Sequence, residues 1–167
     1  MLKKFVSSLL VVLLLVGCSS NKDEEATANE EETTENTTTN DVGSMADSLV
    51  GKLNFASDMS EQRENTMMGM LFQMDKDTVT GGKLYLSSDK TSDTCGVFET
   101  TDANKCIEYI NAYIATLKDT ANNYSPEETF KIDKAIVETN ADGNIVAFVI
   151  CDEIESAKNE VNALLGK

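Results

Sequence analysis

Histidine is missing from all 167 residues, and with it go the commonest metal ligand and the usual general base at neutral pH. The four cysteines include no C-x-x-C pair, which removes the dithiol motif of redox enzymes. Positive charge is scarce: 14 Lys and Arg stand against 29 Asp and Glu, a formal net charge of -15. Such acidity counts against nucleic acid and anionic lipid head groups as partners. No glycine-rich phosphate loop occurs either, because the pair Gly81-Gly82 lies inside a stretch that reads as a strand. The apolar run from Phe5 to Val16 is far short of the roughly 20 residues needed to cross a bilayer as a helix.

That run has another reading. Lys3 and Lys4 precede it, and it ends in Leu15-Val16-Gly17-Cys18, a small residue followed by cysteine, as a lipoprotein signal peptide is built. Residues 1–17 are therefore read as a signal peptide and Cys18 as the site of lipid attachment. Burial of acyl chains contributes about 0.8 kcal/mol per methylene, so an N-terminus carrying several stays in the membrane. The chain is expected outside the cell, anchored to its membrane. Loss of Lys3 and Lys4 takes the net charge from -15 to -17.

Residues 18–44 hold the lipidated cysteine and then Asn, Thr, Glu, Ala and Asp with almost nothing large or apolar, as in Glu30-Glu31-Glu32-Thr33-Thr34-Glu35. Such a segment buries too little apolar surface to offset its chain entropy, and its like charges repel, so it reads as a disordered acidic tether. Residues 45–167 are long enough for one domain with one core. After Cys18 only Cys95, Cys106 and Cys151 remain. They allow at most one disulfide within the chain, or three small buried hydrophobes.

Within the domain, Leu49, Val50 and Leu53 mark a short amphipathic helix, and Asp58 or Ser60 is placed to cap a second that carries Met67, Met68 and Leu71. Thr78 to Ser87 and Cys95 to Thr100 read as strands, with a bulge at Gly81-Gly82. Ala103, Cys106, Ile107, Ile110, Tyr113, Ile114, Leu117 and Ala121 recur at helical spacing behind a cap at Thr101 or Asp102. Ser125-Pro126 starts a short helix. Ala135 to Thr139 and Ile145 to Cys151 form a hairpin through Asp142-Gly143, and Asp152 with Glu155 caps a final helix over Ala157, Val161, Leu164 and Leu165. The fold expected is α+β, a four-stranded, mainly antiparallel sheet in the order strand-strand-helix-strand-strand-helix. Its helices cover one face, and an N-terminal helical segment precedes it.

Few groups point to chemistry. Met67, Met68, Met70 and Met74 are soft donors of the kind cuprous copper takes, yet adaptable packing against a sheet explains them with no histidine or cysteine beside them. Ser87-Ser88-Asp89-Lys90 has the residue types of a Ser-Lys pair but lies in a polar loop. Asp75/Asp77 and Glu127/Glu128 are acid pairs that capping and solvation account for. Asp75-Lys76-Asp77 lacks the glycine and distal glutamate of a calcium loop. No catalytic residue, metal site or cofactor is assigned.

Phe55 with Met59, Leu84-Tyr85-Leu86-Ser87-Ser88, Gly96-Val97-Phe98-Glu99 before Asp102, Tyr124-Ser125-Pro126-Glu127-Glu128, Lys131 with Ala135, and Asp152 with Ala157 form a pattern. It resembles an uncharacterised lipoprotein family of Gram-positive, largely gut-dwelling bacteria, over roughly Phe55 to Leu165. The chain departs from that pattern at Cys95-Gly96, where an aliphatic or alanine pair is expected. The resemblance implies a surface-anchored domain of unknown function and supplies no catalytic residues.

The sequence thus reads as a lipid-anchored, extracytoplasmic, non-catalytic module that binds another envelope protein or a small ligand. The alternative is a hydrolase of wall or extracellular material working through carboxylates alone. The anchor is testable directly: the full-length chain is expected in the detergent phase of a membrane extract, labelled by a radioactive fatty acid. Cys18→Ala should leave the detergent phase and lose the label; a Cys18→Ala chain that keeps both would end the lipid reading.

Overall fold

Every residue of Ile145-Val146-Ala147-Phe148-Val149-Ile150 is apolar, so neither side of a strand built from them can face water. A computed structural model describes residues 41–167; the expected signal peptide, Cys18 and the expected tether as far as residue 40 lie outside the described residues. The described chain runs α1 (Val42–Lys52), β1 (Met59–Glu61), a π-helical turn (Thr66–Leu71), β2 (Val79–Ser87), β3 (Thr94–Thr100) and α2 (Ala103–Tyr124). A 3-10 turn (Pro126–Glu128), α3 (Thr129–Ile132), β4 (Ile136–Thr139), β5 (Ile145–Ile150) and α4 (Ile154–Leu164) complete it. The strands form one sheet in the order β1-β2-β3-β5-β4, every neighbouring pair antiparallel. The α+β class and antiparallel sheet are as expected.

Two features differ from the sequence reading. First, the helices lie on both faces of the sheet. Val146, Phe148 and Ile150 of β5, with Leu84 and Phe98, join a core under Ile110 and Tyr113 of α2. Ile145, Ala147 and Val149, with Cys95 and Val97, join a second core under Ala46 and Leu49 of α1 and Ala157 and Val161 of α4. A six-residue apolar strand with period two places three apolar side chains on each side, and each side needs a cover.

Second, there are five strands. Residues expected to begin a helix at Asp58 or Ser60 instead form β1, with Met59 opposite Ser87 and Glu61 opposite Tyr85. So short a strand leaves no periodic signal. The helical turn follows later, and it buries Met67 and Met68 as expected. It is wound wide: the Phe72 N–H reaches Met67 O at 3.2 Å and the Met74 N–H reaches Met68 O at 2.8 Å. Between them Gln73 sits at φ 51°, a left-handed conformation that costs a residue with a Cβ about 1 kcal/mol. Phe72 inserts below, 4.6 Å from Tyr113, 5.5 Å from Phe98 and 6.3 Å from Phe148 between ring centroids.

The helix ends follow local chemistry. The Asp41 carboxylate accepts the Gly43 N–H at 3.0 Å, so α1 begins three residues ahead of Met45, where the sequence places the start of the domain. Asp102 caps α2 by accepting the Lys105 N–H at 3.1 Å. The residue flanking α4 is Glu153 rather than Asp152, and its side chain makes no capping bond. Gly143, at φ +69°, turns the chain between β4 and β5 where a side chain would be strained. Cys95, Cys106 and Cys151 are all free and buried, with burial pushing the Cys95 and Cys106 thiols up to about 12.

Phe98 explains two glycines. A Cβ on Gly82, its partner across the ladder, would lie 2.7 Å from Phe98 Cδ1. One on Gly96 would lie 3.0 Å from Leu84 Cδ1 and 3.1 Å from Phe98 Cζ. Gly82→Ala is therefore expected to lower unfolding free energy by about 2 kcal/mol through overpacking. Gln73→Gly should raise it by a few tenths up to about 1 kcal/mol as left-handed strain is relieved. Urea titrations of the two variants give both values, and a neutral Gly82→Ala would refute this account of the strand.

Candidate functional site

Charged groups inside the domain are brought together at one place that the sequence did not single out. Lys131, on the one turn of α3, is 3% exposed. Its Nζ lies 2.7 Å from Asp93 Oδ1 and 2.9 Å from Glu128 Oε2, with Asp152 Oδ2 at 3.9 Å. The other Asp93 oxygen accepts the Ala56 N–H at 2.6 Å, and Glu128 Oε2 also accepts the Ser92 N–H and hydroxyl, each at 2.7 Å. Burial opposes the charge on Glu128, but the Ser92 and Lys131 donors outweigh it and hold the carboxyl below its ordinary value. Burial likewise opposes the Lys131 charge, and Asp93 and Glu128 overcome it, so its affinity for the proton is raised. Asp93 has no exposed side-chain surface. The group ties the 54–58 loop, the approach to β3 and α3 into one clamp.

The pairs considered from sequence fall elsewhere. Glu128 belongs to the clamp, while Glu127 is exposed. Asp75 accepts from the Thr78 N–H at 2.7 Å, the Thr78 hydroxyl at 3.0 Å, the Tyr109 hydroxyl at 2.6 Å and Lys105. Lys105, then Tyr109, hold its carboxyl far below the usual range. It fastens the end of the methionine segment to α2, and Asp77 is left exposed. Ser88, Asp89 and Lys90 are exposed in the loop between β2 and β3, as the polar composition implied. Asp142-Gly143-Asn144 lies in the β4–β5 turn.

The methionines divide. Met67, Met68 and Met74 are core residues at 2%, 6% and 6% exposure, whereas Met70 is 77% exposed. Beside Met67 and Met68 a cavity of about 310 Å³ opens between the π-helical turn and β2, lined also by Glu64, Lys76, Val79, Thr80, Gly81 and Gly82. Glu64 and Lys76 pair at 2.8 Å, both well exposed. The cavity runs along an incomplete sheet edge. β1 covers β2 from Tyr85 to Ser87, and one more bond follows, from the Gln62 N–H to Leu84 O at 2.8 Å. Main-chain direction alternates along a strand, so Gly82, two residues from Leu84, turns its N–H and C=O to the same edge. Among the described residues no strand lies opposite it. A shallower groove, about 500 Å³, lies between α2 and β4 over Ile107, Ile114, Ala135 and Val137.

Thus thioether walls, a bare main-chain edge and a neutralised ion pair meet at one cavity. Flexible methionine side chains accommodate varied apolar groups, and π-helical turns recur at functional positions. The sequence held two of these signals, the methionine cluster and Gly81-Gly82. It could not bring them together, because their meeting depends on where β1 ends.

Residues 52–151 match a family described as a domain of unknown function (DUF4358). That span covers the clamp and the cavity and leaves out most of α1 and all of α4. No curated protein and no solved structure matches the chain.

Lys131→Met leaves two carboxylates without their ammonium and is expected to cost about 3–5 kcal/mol, part of it recovered by adding Asp93→Asn. The pH dependence follows from Glu128. Its folded value is below its unfolded one, so its contribution is full above the unfolded value and is lost as pH falls through the folded value. Glu128→Gln should flatten the acid limb of melting temperature against pH; an unchanged limb would remove Glu128 from the account.

Proposed function

We propose that this chain, which belongs to the DUF4358 family, is a non-catalytic binding module of a Gram-positive cell envelope, held outside the membrane by lipid on Cys18, and that it takes its ligand at the Met67/Met68 cavity. The anchor rests on Leu15-Val16-Gly17-Cys18. The binding reading is carried by the cavity itself: a small, partly open space with adaptable methionine side chains on one wall and unpaired main-chain groups of β2 at its rim. A hydrolase would need two carboxylates facing one cleft, roughly 5 to 9 Å apart. Asp93 and Glu128, the carboxylates brought together inside the domain, are both held by Lys131, and Asp47 and Glu61 are both held by Lys83.

Thr80 is exposed and lines the cavity, so Thr80→Trp fills the entrance without entering the core. In crosslinking pull-downs from intact cells, an envelope protein recovered with the native chain should be lost with Thr80→Trp and reduced with Cys18→Ala. Equal recovery with Thr80→Trp would show that binding, if any, uses another surface.

A further inference from the structure

The geometry beside the cavity points to a particular kind of ligand, and this step rests on the cavity being the binding site. We infer that the ligand is a short, extended, cationic peptide segment of a partner protein, which adds to β2 at Gly82 in line with β1 and places one apolar side chain between Met67 and Met68.

The main chain sets the pairing. Gly82 offers both an N–H and a C=O to an unoccupied edge, and a residue opposite it in an antiparallel strand would exchange both bonds. The available length is short. Leu84 is already taken by Gln62, and the register skips between Val79 and Gly81, so only Gly81 to Lys83 can receive the strand.

The two faces then set the side chains. Residues directly opposite one another in a ladder project to the same face. Gly82 pairs with Phe98, which belongs to the core that contains Met67 and Met68. The incoming residue opposite Gly82 therefore projects toward the methionines. Its two neighbours project to the other face, beside Gly81 and Lys83. That face is acidic. Lys83 Nζ is shared by Asp47 Oδ1 at 2.7 Å and Glu61 Oε2 at 3.1 Å. Glu99 pairs with Gly81 across the ladder, is exposed, and has no ion-pair partner among the described residues. Three carboxylates thus face one ammonium, and two further positive charges on the incoming strand would balance them. The pattern read out is basic, apolar, basic. A second copy of the chain is a poor occupant, because the sequence from Met45 to Lys167 itself carries a net charge of -10 and would repel its like.

The test is nuclear magnetic resonance of the full-length chain in zwitterionic detergent micelles, titrated with capped Thr-Lys-Leu-Lys-Thr. On binding, the Gly82 amide proton should move downfield and become slower to exchange, and the Met67 and Met68 methyl signals should shift. The same peptide N-methylated at its leucine, or with both lysines replaced by glutamate, should bind at least tenfold more weakly. Glu99→Gln, at an exposed position with no ion-pair partner among the described residues, should weaken binding severalfold with no change in melting temperature. Methyl shifts with an unmoved Gly82 amide would overturn strand addition and leave the cavity reading standing. Shifts confined to Val137 and Thr139 of β4, or no shift anywhere, would overturn the inference. If the Met67 and Met68 methyls also stay fixed when the two lysines are replaced by leucine, the cavity reading falls as well.

Discussion

The domain is governed by a strand that cannot be wetted on either side. Because β5 is apolar at all six positions, the sheet must be covered twice, and the chain supplies the covers from its two ends and its middle. α1 and α4, which begin and end the described chain, meet over one face; the methionine turn and α2 close the other. The order of strands follows. β5 pairs on one side with β3 and on the other with β4, so it is interior, and the shortest strands, β1 and β4, are left to the edges. Apolar area removed from water at about 25 cal/mol per Å² is the driving term, and it also selects the topology.

The buried charges stand against that background as a cost that only their mutual geometry offsets. A lysine at 3% exposure between a fully buried aspartate and a mostly covered glutamate contributes little net stability compared with apolar side chains of the same size. What it does is fix register. Asp93 reaches back to Ala56 and forward to Lys131, so the loop after α1, the approach to β3 and α3 can meet in one arrangement only. Apolar packing alone would tolerate several. The cavity at Met67 and Met68 lies at the opposite end of β2 from this clamp, and its walls are the flexible side chains the clamp does not touch.

Much of this was legible in the residues. Asp102 as the cap of α2, the helical row from Cys106 to Ala121, the strands at Thr78–Ser87 and Cys95–Thr100 and the turn at Gly143 are local facts, decided by spacing, capping and backbone preference within a few residues. The covering of both faces was also written in β5, since an unbroken apolar strand signals burial on two sides, whereas the hairpin pattern alone led to a one-sided sheet. β1 was not readable: Met59-Ser60-Glu61 is held by main-chain bonds to β2, and main-chain bonds leave no trace in side-chain pattern. Separation along the chain hid the clamp. Lys131 sits between Phe130 and Ile132 with nothing to show that Asp93, 38 residues earlier, would be beneath it.

The bare stretch of β2 has a physical cause that bears on its use. A sheet edge left unpaired invites association with other chains, and proteins ordinarily blunt it with charge, a bulge or a short strand. This edge has all three: β1 is short and stops at Glu61, the ladder slips at Thr80, and the Glu99 carboxylate stands beside Gly81. Together they leave a gap of three residues, too short to seed pairing with another sheet, yet long enough for one residue to exchange both main-chain bonds with Gly82. The devices that protect the edge are therefore the ones that would give it selectivity, since a chain must be narrow, extended and positively charged to use what remains. The family match spans all of them, and among the described elements only α1 and α4, over the other face, extend past its limits.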